Sequence, residues 1–344
     1  PPSPQSSAAG KMERATTIIA LAASATVAVA LARRILSGNV EAKPPSSDCS
    51  RQPRVAQLPP SPPPLLARTN NLSGHNIIVT GASRSGTLGG EVARYLAASG
   101  ASALVLVGSS PRCDTPASAH LEHLEDELRR EYPGCRVFYL PCQLGDAGAC
   151  CKLVEEACSL FSEGKLHGLV NCAGVCFPRA TLDETTPETF QRMMSINVLA
   201  PLLLTRDAAR AMRKERIQGS IVNIGSIAAH GGAPFISAYS VSKGALNTLT
   251  KVSAVELQPN RIRVNCVNIG WTVTENEDKE RRRSDGEDWV EKAEATQRSG
   301  RLLRPGDIAP TVGHLLSRAS AMVTGTCLDI SPEVVFGCLP VGAG

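Results

Sequence analysis

From residue 76 onward, short apolar runs alternate with stretches of helical period. The runs lie at 77–80, 103–107, 137–140, 168–171, 220–224 and 263–267, with a last one near 326–330. They are rich in Val, Ile and Leu and carry few polar interruptions, the pattern of strands buried on both faces. Between them, 90–98, 117–131, 187–214 and 239–257 repeat apolar positions at helical spacing. Strands alternating with helices predict a parallel sheet covered on both sides. Right-handed crossovers then make it a doubly wound α/β sheet. Ligands of such sheets bind at the carboxyl ends of the strands, near the switch in strand order.

The first 75 residues do not share this pattern. Residues 15–32 hold no charge, with Lys11, Glu13 and Arg14 before them and Arg33 and Arg34 after. At ~1.5 Å per residue the stretch reaches about 27 Å, enough for a thin bilayer. Its Ala and Thr make it weakly hydrophobic, so a membrane anchor, a cleaved targeting peptide and a soluble helix all stay open. Flanking arginines on the C-terminal side favour a cytosolic catalytic domain if it is an anchor; a cleaved peptide implies import into a mitochondrion or plastid. The chain begins at Pro1 instead of Met, which implies processing or truncation. Residues 41–75 are rich in Pro and Ser and read as a semi-rigid linker. The expected organisation is an extension (1–40), this linker, one catalytic domain (76–334) and a short tail (335–344).

Composition narrows the classes. Hydrophobic residues make up 42% and charged residues 20%, so a large core can form and a disordered chain is excluded. The net charge of +4 is scattered, and the basic run at 279–283 is interleaved with acids. It reads as a solvated face, not a nucleic-acid site. The 12 cysteines sit largely inside apolar or helical stretches, which implies free thiols in a reducing compartment.

Chemistry concentrates after the strands. The first strand is followed by Gly81, Ala82, Ser83, Arg84, Ser85, Gly86, Thr87, Leu88 and Gly89, and then by a helix. Glycines let a backbone approach a pyrophosphate, and the helix N-terminus offers N–H groups and a positive dipole end. A plain glycine-rich turn is the bland alternative. No carboxylate ends the second strand, where an NAD enzyme places one on the ribose. Ser109 and Ser110 can hydrogen-bond a 2′-phosphate there, and Arg84 and Arg112 can neutralise it. Tyr239 and Lys243 are four residues apart, on one face of a helix. A free tyrosine titrates near ~10, and a neighbouring ammonium stabilises its phenolate. Ser226 puts a hydroxyl at the carboxyl edge of the fifth strand, thirteen residues before Tyr239.

Taken together, these motifs resemble the short-chain dehydrogenase/reductase family, including its 3-oxoacyl-thioester reductases. The glycine loop is similar to the family's T-G-x-x-x-G-x-G, two residues longer, with Gly86 as the middle glycine. The resemblance implies a Rossmann fold binding NADP(H). Asn171, Cys172, Ala173 and Gly174 look like the family's N-N-A-G, and Gln143 stands where an Asp contacts adenine. Asn268 to Thr274 resembles P-G-x-x-x-T, which implies that Thr272 contacts the carboxamide or pyrophosphate. Ser226, Tyr239, Lys243 and Asn197 correspond to the catalytic four, with Asn197 holding a water linked to the lysine. A polar lid is expected over 275–300, then the R-x-x-x-P-x-D-I-A stretch at 301–309.

The implied activity is carbonyl reduction, or the reverse oxidation of a secondary alcohol, on a small molecule, a lipophilic one if residues 15–32 are a bilayer anchor. The alternatives are a 3-oxoacyl-thioester reductase and, in another class, a non-catalytic NADP(H)-binding scaffold or redox sensor. No nucleic acid or metal is expected. Homo-oligomers of this family form through the helices at 187–214 and 239–257.

Overall fold

A computed structural model of the chain describes residues 70–109 and 124–331. Residues 15–32, most of the linker, Ser110, Arg112 and the tail lie outside the described residues. Seven parallel strands form one sheet in the order β3-β2-β1-β4-β5-β6-β7. They are β1 (Asn76–Thr80), β2 (Ala103–Gly108), β3 (Arg136–Pro141), β4 (Gly168–Asn171), β5 (Ser220–Ser226), β6 (Arg263–Ile269) and β7 (Cys327–Ile330). The order reverses between β1 and β4, which opens a crevice at their carboxyl ends. β1, β2, β4 and β5 are buried along their whole length, as their continuous apolar runs require.

Helices cover both faces. α1 (Leu88–Ala98) starts at Thr87, whose hydroxyl accepts from the Gly90 N–H at 3.0 Å. It packs Val92 and Leu96 into one core layer. α2 (Leu124–Glu131) adds Leu124 and Leu128 to the same layer. α3 (Ala147–Leu160), which the periodicity did not reveal, buries Leu153 and Val154 in the opposite layer. Its alternation of Ala, Cys and Gly with charged residues gives only a weak apolar stripe.

The stretch 187–214, expected as one helix, is three pieces: α4 (Pro187–Met194), a π-helical turn at Ser195–Leu199, and α5 (Ala200–Lys214). Pro201 has no N–H to give the Asn197 carbonyl four residues earlier, so regular α-helical bonding stops there. Such π segments recur at functional sites. α6 (Ser237–Leu257) carries Tyr239 and Lys243.

Residues 275–300 are not a featureless lid. They fold into α7 (Glu275–Asp285) and α8 (Trp289–Thr296). The basic run within them is not wholly solvated either. Arg281 is 8% exposed, held by Glu277 at 3.2 Å and Asp285 at 2.6 Å, with its guanidinium 4.9 Å from the Trp271 ring centroid. Opposite charges at four-residue spacing let one arginine turn inward without standing unpaired. α9 (Pro305–Leu316) closes the chain against α1 before β7. All nine described cysteines are free. Among the described residues no helix is long and apolar enough to cross a membrane.

Candidate active site

The glycine turn after β1 makes a tight floor. Gly81 has φ +73°, and a Cβ there would stand 2.9 Å from Ala173 Cα. A Cβ on Gly89 would fall 2.4 Å from the Gly81 carbonyl oxygen. Thr80 joins this turn to the end of β4, its hydroxyl oxygen accepting from the N–H groups of Cys172 (3.0 Å) and Ala173 (3.1 Å). Above lies a cleft of about 1010 Å³, with the volume to take a dinucleotide. Of the residues expected to hold a cofactor, Gly81, Ser83, Arg84, Gly89, Ser109, Gln143, Ala173, Gly174, Tyr239 and Lys243 border it. A backbone-lined floor without room for side chains, under a helix N-terminus, fits a pyrophosphate.

Three expected residues sit elsewhere. Asn171 turns into the sheet, where its amide donates to Asn223 Oδ1 at 2.8 Å and to Thr205 Oγ1 at 3.4 Å. Its place is the polar seam between β4, β5 and α5, away from the cleft lining. Gly86, with φ +81°, faces α7 and accepts from the Glu275 N–H at 3.3 Å. Thr272 is buried beside the second cavity, its hydroxyl donating to the Gly270 carbonyl at 2.9 Å. Two others have protein partners within the cleft. Arg84 pairs with Glu275 at 3.1 Å, and Gln143 donates to the Ser109 carbonyl at 2.7 Å, leaving its own carbonyl free to accept.

The second cavity, about 480 Å³, adjoins the first, and Tyr239, Gly174 and Val175 border both. β5 ends with Ser226, and the first turn of α6 brings Tyr239 close to it, both lining the same cavity. Lys243, one turn on, lies with its Nζ 5.6 Å from the Tyr239 ring centroid and donates to the Ile224 carbonyl at 2.7 Å. A Cβ on Gly174 would meet Lys243 Nζ at 3.3 Å and Asn197 Oδ1 at 3.4 Å, so these two side chains converge on the end of the loop after β4. Asn197, fully buried on the π turn, exchanges hydrogen bonds with both the N–H (2.8 Å) and the carbonyl (2.9 Å) of Val175. It also donates to Ser242 Oγ at 3.0 Å.

Burial dominates the electrostatics. It pushes the Tyr239 phenol well above its ordinary range, a rise that the Ser226 hydrogen bond opposes. It also pulls the Lys243 ammonium down. The simple expectation, a lysine that holds the tyrosine below its usual value, is not met by these protein groups alone. Lys243 is buried and Tyr239 partly so, and desolvation disfavours the charged form of each.

Sequence reasoning missed most of the second cavity's wall. Phe177, Arg179, Arg192, Phe235, Trp271 and Glu277 line it, together with Cys176. They come from the loop after β4, from α4, from the segment before α6, from the turn after β6 and from the start of α7. No spacing signal links such distant positions.

A sequence-family model described as Enoyl-(Acyl carrier protein) reductase matches residues 81–331. An uncharacterised oxidoreductase of Methylorubrum extorquens is 34% identical over 265 residues, covering 77% of this chain and 99% of that protein. The L-xylulose reductase of Bos taurus is 34% identical over 262 residues, covering 75% and 96%. Among solved structures, the L-sorbose reductase of Gluconobacter frateurii, complexed with NADPH and L-sorbose, superposes with a TM-score of 0.68 at 26% identity. That match covers 78% of this chain and 98% of the other. Fold, site and relatives define a nicotinamide-type oxidoreductase on a doubly wound sheet. The chain belongs to the short-chain dehydrogenase/reductase family.

Proposed function

We propose that this protein is an NADP(H)-dependent reductase that interconverts a carbonyl and a secondary alcohol, with Tyr239 as the acid–base group. One observation carries the reading. Tyr239 borders both cavities and Ser226 lines one of them beside it, which puts its hydroxyl within reach of a carbonyl brought from one cavity to a cofactor in the other. The glycine floor, Ser109 and Lys243 would hold the dinucleotide, and the absence of an acid at the end of β2 favours the 2′-phosphate form. When bound, the reduced nicotinamide supplies a hydride to the carbonyl carbon. Ser226 and Tyr239 orient the carbonyl oxygen, and Tyr239 gives it a proton as negative charge develops. Lys243 stabilises the phenolate that remains, and Asn197 fixes the Val175 backbone beside it. The intact constellation supports an enzyme over a non-catalytic scaffold.

The test follows NADPH absorbance against a panel of carbonyl compounds, with NADH as control. Tyr239→Phe should lower kcat by about 10²–10⁴, the usual worth of a placed acid–base group, with NADPH affinity kept. Unchanged turnover would refute the role. A 3-oxoacyl-thioester is a second substrate reading, favoured by the likeness to a solved 3-oxoacyl (acyl-carrier-protein) reductase with NADP bound, 25% identical with a TM-score of 0.68. Exposed Leu202, Val252 and Val255 on α5 and α6 support a homo-oligomer through those helices. Residues 15–32 are proposed as a membrane anchor or a targeting segment for an organelle.

A further inference from the structure

The wall of the substrate cavity is unevenly charged. Near Ser226 and Tyr239 it is apolar, with Phe235 and Ile236. Elsewhere it carries Arg179, Arg192, Lys279 and Arg281 against the carboxylates Glu277 and Glu280. Those carboxylates are already engaged. Glu280 pairs with Arg283 at 3.1 Å, outside the cavity lining. A single oxygen of Glu277 accepts from Arg179 (2.7 Å), Arg281 (3.2 Å) and the Trp271 indole (3.0 Å). Arg281 is completed by Asp285. Arg179 is not: its Nε is buried and has no hydrogen-bond partner. Arg192 meets a backbone oxygen, the Phe177 carbonyl at 2.8 Å, and no carboxylate among the described residues. Phe177 also lies under the Arg179 guanidinium, 5.1 Å from ring centroid to carbon, so the two arginines share one anchor.

A buried donor without an acceptor is costly, and native structures resolve most such cases with a partner. The Arg179 fork, with its buried Nε short of an acceptor, and the exposed Arg192 fork beside it suit a planar or tetrahedral oxyanion. We propose that Arg179 and Arg192 form an anion subsite in the substrate cavity, so that the preferred carbonyl substrate carries a carboxylate or a phosphate. This rests on the carbonyl reduction proposed above and names its substrate class. A cavity of about 480 Å³ has room for a short carbon skeleton with one charged end. Arg192 borders the cofactor cleft as well as the substrate cavity, whereas Arg179 borders the substrate cavity and not the cleft, so Arg179 is the residue to test.

The experiment measures initial rates of NADPH oxidation with a short keto acid, its methyl ester and the matching keto phosphate. In the wild-type chain at least one anion should exceed the ester in kcat/KM by about tenfold or more, in line with a charge-assisted hydrogen bond. Whichever anion leads identifies carboxylate or phosphate as the recognised group. Arg179→Gln should pull the anion-to-ester ratio toward one, mainly through KM for the anion, and Arg179→Lys should keep part of it. Equal or better use of the ester by the wild-type chain overturns the subsite while leaving the reductase reading intact. So does an anion-to-ester ratio that Arg179→Gln leaves unchanged. Failure to reduce any carbonyl in the wider panel overturns the reductase reading and this proposal with it.

Discussion

Replacing Lys243 with Met separates the two jobs given to this residue. The ammonium lies 5.6 Å from the Tyr239 ring centroid. At an effective dielectric of ~20, a unit charge at that distance stabilises a phenolate by about 3 kcal/mol. That corresponds to about two pKa units. The phenol, already pushed up by burial, should therefore titrate about two units higher in Lys243→Met. Alcohol oxidation needs the phenolate, so at fixed pH and saturating cofactor its kcat should fall about 100-fold and recover about tenfold per pH unit. Carbonyl reduction needs the protonated phenol and should lose far less. Folding gives the control. Burial lowers the Lys243 pKa and no carboxylate faces it among the described residues, so the folded state disfavours the ammonium. Its cost is present where the amine is charged, below the unfolded value of about 10.5, so removing it at neutral pH should leave the urea midpoint unchanged or higher. The assay is kcat against pH in both directions. An equal loss in both, flat with pH, would show that Lys243 only positions the cofactor and would refute the electrostatic argument.

Two further outcomes follow from packing and burial. Gly89→Ala puts a Cβ 2.4 Å from the Gly81 oxygen and 3.0 Å from the Ala82 nitrogen, both backbone atoms. It should cost about 1–3 kcal/mol of stability and weaken NADPH binding at least tenfold, as read by urea unfolding and fluorescence titration; wild-type values for both would mean the floor is softer than its geometry. His167 accepts from the Asn76 N–H through Nδ1 at 3.2 Å, and burial, with His75 nearby, lowers its pKa to about 4. Its contribution to stability is full above the unfolded value of about 6.5 and is lost as pH falls through about 4. The unfolding midpoint should drop over that window, and a His167→Gln chain that keeps the same acid limb would assign the loss to other groups.

Much of this protein could be read along the chain. Continuous Val, Ile and Leu runs located the strands, because a strand covered on both faces has no polar side to show. Tyr239, Lys243 and Ser226 were legible because helix pitch and strand ends fix their neighbours locally. Helix 147–160 was not, since its many small residues blur the apolar stripe. The motif left the Asn171 side chain between the sheet and the adenosine side, and pairing of β4 with β5 turns the amide toward Asn223.

Local chemistry in the sequence thus determined the order of elements, the glycine floor and the acid–base pair, each set by spacings of a few residues. Tertiary structure alone decided which charges meet. Arg84 could have been left for a phosphate, but the lid brings it Glu275. Arg179 finds Glu277 98 positions away, across the substrate cavity. Coulomb and hydrogen-bond energies act over a few ångströms of space. Where the chain returns from far along its length, sequence distance carries no information about them.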